Sequence, residues 1–128
     1  MKAILDTHTF IWSDTDPSKL SPAVMACFAD PNCTIFLSVV SVWEVVIKTG
    51  NNKLTLSGDV ERVIADIQRK NPLRLLSVTF DHVLNLRTLP PIHRDPFDRM
   101  LVAQAVAENA VLLSCDANIR QYPVRVIW

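Results

Sequence analysis

Asp6 closes the apolar run AILD, Asp116 follows VLLSC, and Glu44 and Asp98 stand where helices should begin after extended or loop segments. If those segments alternate as strands and helices of one layered domain, the four carboxylates fall on one edge of its sheet. Like charges a few ångströms apart raise one another's pKa, so such a cluster is costly without a cation. Mg²⁺ or Mn²⁺ removes that cost: it takes oxygen ligands, keeps several waters, and is held by one or two carboxylates together with substrate phosphate oxygens. Two such ions about 3.5–4 Å apart can activate a water and stabilise the leaving oxygen of a phosphodiester. Chemistry of that kind needs no catalytic His or Ser. Asp98 also opens the repeat Asp98, Leu101, Val102, Ala105, a stripe that should pack on the sheet, where an acid needs a partner or a metal.

Taken singly, each acid has a plainer role. Ser41-x-x-Glu44 matches a capping box, and Asp95-Pro96-Phe97-Asp98 matches an aspartate cap, a proline at the first helical position and an acid at the third. Asp6 and Asp116 could be turn formers or caps after strands, and Asp95 is expected mainly as a cap. Four acids at matching positions are harder to attribute to capping than any one of them. Lys48, Arg94, Arg99 and Arg120 lie near the acids in sequence and could hold flanking phosphates, or, like Lys48 with Glu44 at i,i+4, simply pair with an acid. His8 and His93 flank the acids without a His or Cys at zinc spacing. Trp12 and Trp43 accompany the first two acids, to stack on bases or, more simply, to pack in a core or interface.

Positioning these acids requires a parallel sheet. Short runs rich in β-branched and other apolar residues at Lys2–Leu5, Cys33–Ser38, Leu73–Val78, Ala110–Ser114 and Val124–Ile127 alternate with helical periodicity. Ser21-Pro22 opens a helix toward Ala29; Val60, Val63, Ile64 and Ile67 mark one beginning near Asp59; Thr79–Arg87 reads as another, stopped by Pro90-Pro91; and the last long helix runs from Pro96 to Asn109, a residue suited to the left-handed position. The expectation is a single α/β domain over residues 1–128, with five parallel strands and a ligand site outside their carboxyl ends.

With 128 residues, 49% of them hydrophobic, the chain should fold to roughly 7,000 Å² of accessible surface. Equal numbers of basic and acidic residues, 13 each, exclude a protein that coats nucleic acid by bulk charge. With the four acids set aside, 13 cations face 9 acids, a mildly basic remainder. Three cysteines without CxxC spacing, Cys27, Cys33 and Cys115, read as buried free thiols. The apolar stretch Ile35–Ile47 is too short for a membrane span and carries Glu44, and no signal-peptide pattern opens the chain, so a soluble cytoplasmic protein is expected.

Four segments, ILDTHTFIW, SVVSVWEVVIKTGNNKL, IHRDPFDRMLVAQA and LLSCDANIRQY, together give the chain a resemblance to the PIN-domain ribonucleases, in detail to the VapC-like toxins of bacterial toxin–antitoxin pairs. The resemblance implies a three-layer α/β/α fold with a central five-stranded, mainly parallel sheet. It implies a Mg²⁺- or Mn²⁺-dependent endoribonuclease whose acidic quartet maps onto Asp6, Glu44, Asp98 and Asp116. Asp6 is matched as the central metal ligand, Asp98 and Asp116 as direct or water-mediated ligands, Glu44 as the acid that orients water or supports the ligands, and Asp95 as an accessory acid. Ser114 stands where many relatives carry threonine, keeping the hydroxyl. A cognate VapB-like antitoxin and homodimerisation are implied as well. Such a partner would need an exposed apolar groove, expected near Trp12, Ile47 and Leu54, and substitution of Trp43 or Ile47 should weaken its binding.

Two other classes fit less well. A phosphoryl-receiver domain needs an adjacent acid pair after the first strand and a phosphoacceptor aspartate after the third, but AILDTH has one acid and RLLSVT none. A flap-type nuclease needs DNA-gripping insertions for which 128 residues leave no room. A non-catalytic PIN-like scaffold that binds RNA or protein, its acids serving only as caps, remains the alternative.

Overall fold

The computed structural model describes residues 1–128, and its sheet is entirely parallel, in the order β3-β2-β1-β4-β5. The strands are β1 (Lys2–Leu5), β2 (Thr34–Ser38), β3 (Leu73–Leu76), β4 (Val111–Leu113) and β5 (Val126–Ile127). Between them run α1 (Thr7–Thr15), α2 (Pro22–Ala29), α3 (Val39–Gly50), α4 (Val60–Lys70), α5 (Phe80–Asn85) and α6 (Pro96–Glu108). The five expected strands are all present, trimmed by up to two residues at their ends. Thr79–Arg87 divides into α5 and a 3-10 turn at Leu86–Thr88.

Strand alternation divides the core into two layers. Ala3, Leu5, Ile35, Leu37, Val111 and Leu113 face α1, α2 and α4 through Phe10, Ile11, Val24, Cys27, Val63 and Ile64. Ile4 and Leu112 face the opposite way, onto Leu101, Val102, Ala103 and Ala105 of α6. Helix α3 contributes Val45 to the first cluster and Val40 to the second. The result is three layers, α/β/α, with strands buried on both faces, which is why they read as continuous apolar runs. The accessible surface, 7037 Å², is that of a well-collapsed chain of this size. No helix is long and apolar enough to cross a membrane.

Local signals explain most helix ends. Ser21 accepts from the Val24 N–H with Pro22 behind it, and Asn109 adopts the left-handed conformation at φ 51° after α6. One expected start moves. Helix α3 begins at Val39, capped by Ser38, so Ser41 is not its cap and Glu44 lies in the second turn rather than the first. The reason is a buried bond: Ser38, at the end of β2, donates its hydroxyl to Gln104 Oε1 at 2.5 Å while accepting from Val40 N–H. The thiols also need one correction, since Cys27 and Cys33 are buried but Cys115 is exposed. It falls beyond the end of β4, where the chain has left the covered sheet.

Chain order places β1 at the centre of the sheet. From β1 the chain builds outward through β2 to β3, then returns across the other face by α5 and α6 to lay β4 on the free side of β1. The carboxyl ends of β1 and β4 therefore flank the switch point, where open α/β sheets bind their ligands.

Candidate active site

Asp6 is the residue after β1 and is only 4% exposed. Its Oδ1 accepts from the Thr7 N–H at 2.7 Å, capping α1, and its Oδ2 accepts from the Ser114 hydroxyl at 2.7 Å. Ser114 Oγ in turn accepts from the Asp116 N–H at 3.0 Å. The ends of β1 and β4 are thus tied through one hydroxyl. Asp116 turns its own carboxylate back on Asn118 and Ile119 N–H groups, holding the loop that leads to a 3-10 turn at Ile119–Gln121. Helix α6 brings the next acids. Asp95 caps it through Phe97 and Asp98 N–H groups, and Asp98, in the first turn, accepts a bond from His93 Nε2 at 3.0 Å.

Burial and mutual repulsion act on two of these carboxyls. Burial pushes the Asp6 carboxyl above the ordinary carboxylate range against the opposing effects of the Ser114 bond, the His8 charge and the Thr7 N–H, and Asp116 repels it further. Asp98 is pushed up to about 6, first by burial, then by repulsion from Asp6, Asp95 and Asp116, with the His93 bond working the other way. No Lys or Arg forms an ion pair with any of these aspartates. Glu44, unlike them, has a basic partner: its Oε2 pairs with Lys48 Nζ at 2.6 Å. Its Oε1 is the one buried side-chain oxygen or nitrogen in the molecule without a hydrogen-bond partner.

The other residues expected around the acids fall into three groups. Lys48 is engaged with Glu44, and Arg99 donates to the Pro90 carbonyl and the Tyr122 hydroxyl, both at 2.9 Å. Arg94 and Arg120 are exposed. Trp12 packs against the core, edge-on to Trp128, whereas Trp43 is 61% exposed and meets the Phe97 ring edge-on at 5.1 Å. The groove expected near Trp12, Ile47 and Leu54 is not there as an exposed apolar surface, because Trp12 and Leu54 lean on the core and only Ile47 is open. Helix α3 instead exposes Val39, Trp43, Val46 and Ile47, one stripe at helical spacing.

Several positioning contacts escape the acid pattern. Thr7 donates to Ser41 at 2.9 Å, fastening α3 to the start of α1, and Tyr122 bonds His93 Nδ1 at 2.8 Å. The lone tyrosine, six residues past the last acid, was the available signal, since a buried phenol needs a partner.

Residues 3–124 match the PIN domain. The chain belongs to the PIN domain family. Its PIN fold is also that of chains in two solved complexes. VapBC2 from Rickettsia felis, bound to a DNA fragment from its promoter, aligns with a TM-score of 0.73 at 16% identity, over 99% of this chain and 98% of that one. DNA-bound VapBC from Salmonella typhimurium aligns at 0.69 and 18% identity, over 99% and 97%. Among curated proteins none matches the sequence. In this PIN domain the oxygen-only character of the acidic edge suits a hard cation. No three His, Cys, Asp or Glu side chains are gathered tightly enough to hold a metal by themselves, and what Asp6, Asp98 and Asp116 offer is oxygen, the ligand type Mg²⁺ and Mn²⁺ take.

Proposed function

We propose that this PIN domain, residues 1–128 acting as one unit, is a Mg²⁺- or Mn²⁺-dependent endoribonuclease and the toxin of a toxin–antitoxin pair. The observation that carries the reading is the mutual repulsion of buried Asp6 with half-buried Asp98 and Asp116, which no Lys or Arg pairs with. Retaining that arrangement has a cost in stability that a divalent cation would remove. Asp6, Asp98 and Asp116 would hold the ion, which when bound supplies positive charge for the phosphodiester and a water of lowered pKa.

The chain's own groups supply the rest. Ser114 and the Thr7 N–H fix the Asp6 carboxylate, and His93 fixes Asp98, so that neither must be reoriented when substrate arrives. Glu44, with Oε2 held by Lys48, leaves Oε1 buried and unpartnered, an acceptor that a water bound there would satisfy. Exposed Arg94 and Arg120 are the cations able to meet a flanking RNA phosphate without breaking an existing bond. Hydrolysis by water leaves a 5′-phosphate and a 3′-hydroxyl. A VapB-like antitoxin, named in the complexes that share the fold, is the proposed inhibitor, and a second copy of the chain the proposed partner in a homodimer.

A second reading has one observation in its favour. Asp6, Asp95 and Asp116 each bond backbone N–H groups, as the acids of a non-catalytic PIN-like scaffold would. Capping alone does not account for Asp98, which caps nothing and is repelled by Asp6, Asp95 and Asp116. Incubation of total cellular RNA with purified protein in Mg²⁺, Mn²⁺ or EDTA, with sequencing of new 5′ ends, decides between them. Discrete cuts with either metal, abolished by EDTA and by Asp98→Asn, are expected. Folded protein that leaves RNA intact with both metals would establish the scaffold.

A further inference from the structure

The contacts behind Asp98 form a directed chain. Arg99, on α6, has only hydrogens to give, and its Nη1 lies 2.9 Å from the Tyr122 oxygen. The phenol oxygen therefore accepts there, and its single proton must go elsewhere. Two acceptors are within reach, His93 Nδ1 at 2.8 Å and the His93 carbonyl at 3.5 Å, so the proton belongs on the bond to Nδ1. An imidazole nitrogen that accepts a bond carries no hydrogen, which in the neutral ring leaves the hydrogen on Nε2. That nitrogen faces Asp98 Oδ2 at 3.0 Å. The opposite tautomer would set a lone pair against a carboxylate and leave Tyr122 without its best acceptor.

We infer that Tyr122, oriented by Arg99, is a positioning residue that fixes His93 in its Nε2–H tautomer and so makes it a permanent donor to Asp98. The arrangement holds the Asp98 carboxylate in one rotamer against the repulsion of its acidic neighbours. Its function in cleavage rests on the nuclease reading above; the tautomer does not. Outer partners of this kind orient the groups that bind an ion, and their loss typically weakens metal binding or activity about 10–100-fold. The Arg99 guanidinium also lies over the Tyr122 ring, 5.8 Å from its centroid, so the phenol is clamped by two contacts from one side chain. The location is favourable: Tyr122 is buried next to the last two strands, away from the solvent that would compete for Nδ1.

The test uses Tyr122→Phe, which keeps the buried ring, in wild-type and His93→Gln backgrounds. The glutamine amide can take the place of Nε2–H but has no tautomer to fix. Nitrogen-15 NMR of the three histidines, assigned by loss of the His93 signal in His93→Gln, reads the tautomer without any metal. Expected is a protonated Nε2 and bare Nδ1 in the wild type, giving way to a mixture in Tyr122→Phe. Titration with Mn²⁺ alone should then show about tenfold weaker binding for Tyr122→Phe, and no further loss when the same change is made in His93→Gln.

An unchanged tautomer in Tyr122→Phe would overturn the inference, as would an imidazolium in the wild type at neutral pH. So would an equal loss of Mn²⁺ affinity in both backgrounds, which is what a merely structural tyrosine gives. If wild type neither binds Mn²⁺ nor cuts RNA while the tautomer still depends on Tyr122, the relay stands and the nuclease reading falls.

Discussion

Asp98 gathers the main tension of the molecule into one side chain. Folded, it titrates at about 6, against 3.8 for an ordinary aspartate, so the folded chain binds that proton more tightly than the unfolded one. A raised carboxyl favours folding fully below the unfolded value and loses that contribution as pH rises through the folded one. Above pH 6 the ionised group is therefore a burden, on the order of 1–2 kcal/mol after allowance for its partial exposure. Asp98→Asn should raise the melting temperature at pH 8 by roughly 3–8 °C, with the gain gone near pH 4. A gain that is the same at both pH values would mean that the carboxylate's charge is not its source. The same asparagine should also erase any stabilisation of the wild type by Mn²⁺. The positions of Asp6 and Asp116 just past strand ends were legible, because each follows an apolar run of the kind a buried strand writes. What surrounds them was less so. His93 reads as a loop histidine until Tyr122, 29 residues away in sequence, is known to lie against it.

Among the elements, α3 shows where local pattern misleads. Ser41-x-x-Glu44 satisfies the capping rule in sequence, yet Ser38 wins the cap because the strand before it delivers Ser38 to Gln104, a contact 66 residues distant. By contrast, Ser21-Pro22 and Asn109 needed only their neighbours to act, and both were readable. Gln104 is fully buried and serves three elements. It accepts from Ser38, donates to the Ser77 carbonyl at 3.3 Å, and lies 3.3 Å from His82 Nδ1, the ring of which caps α5 at Thr79 and reaches Glu108. Replacing it with leucine keeps much of its volume but strands those groups. Gln104→Leu should cost on the order of 2–4 kcal/mol in urea unfolding. A change within about 0.5 kcal/mol would show that Ser38 and Ser77 find other partners.

At the scale of the whole molecule, the layered fold was the most legible feature, since a sheet covered on both faces writes itself as unbroken apolar strands. Surfaces were the least, because nothing in a helix's periodicity says whether its second apolar stripe meets this chain or another. Helix α3 exposes Trp43 and Ile47, and α5 exposes Phe80 at 76%. A protein partner is the economical reason for such a surface. If the proposed antitoxin docks there, Ile47→Ala and Trp43→Ala should each weaken its binding about tenfold or more by calorimetry without changing any Mn²⁺ affinity, and equal affinity in both variants would assign that face elsewhere.

The bond from Ser114 to Asp6 spans 108 residues and joins nearly opposite ends of the chain. A ribosome makes the Asp6 side of this site 108 residues before the Ser114 side. Until β4 and the residues after it have left the exit tunnel, Asp6 has neither its hydroxyl partner nor its acidic neighbours. The two sides of the acidic edge thus meet only after the residues between them have been made and have folded into the layers that bring β4 beside β1.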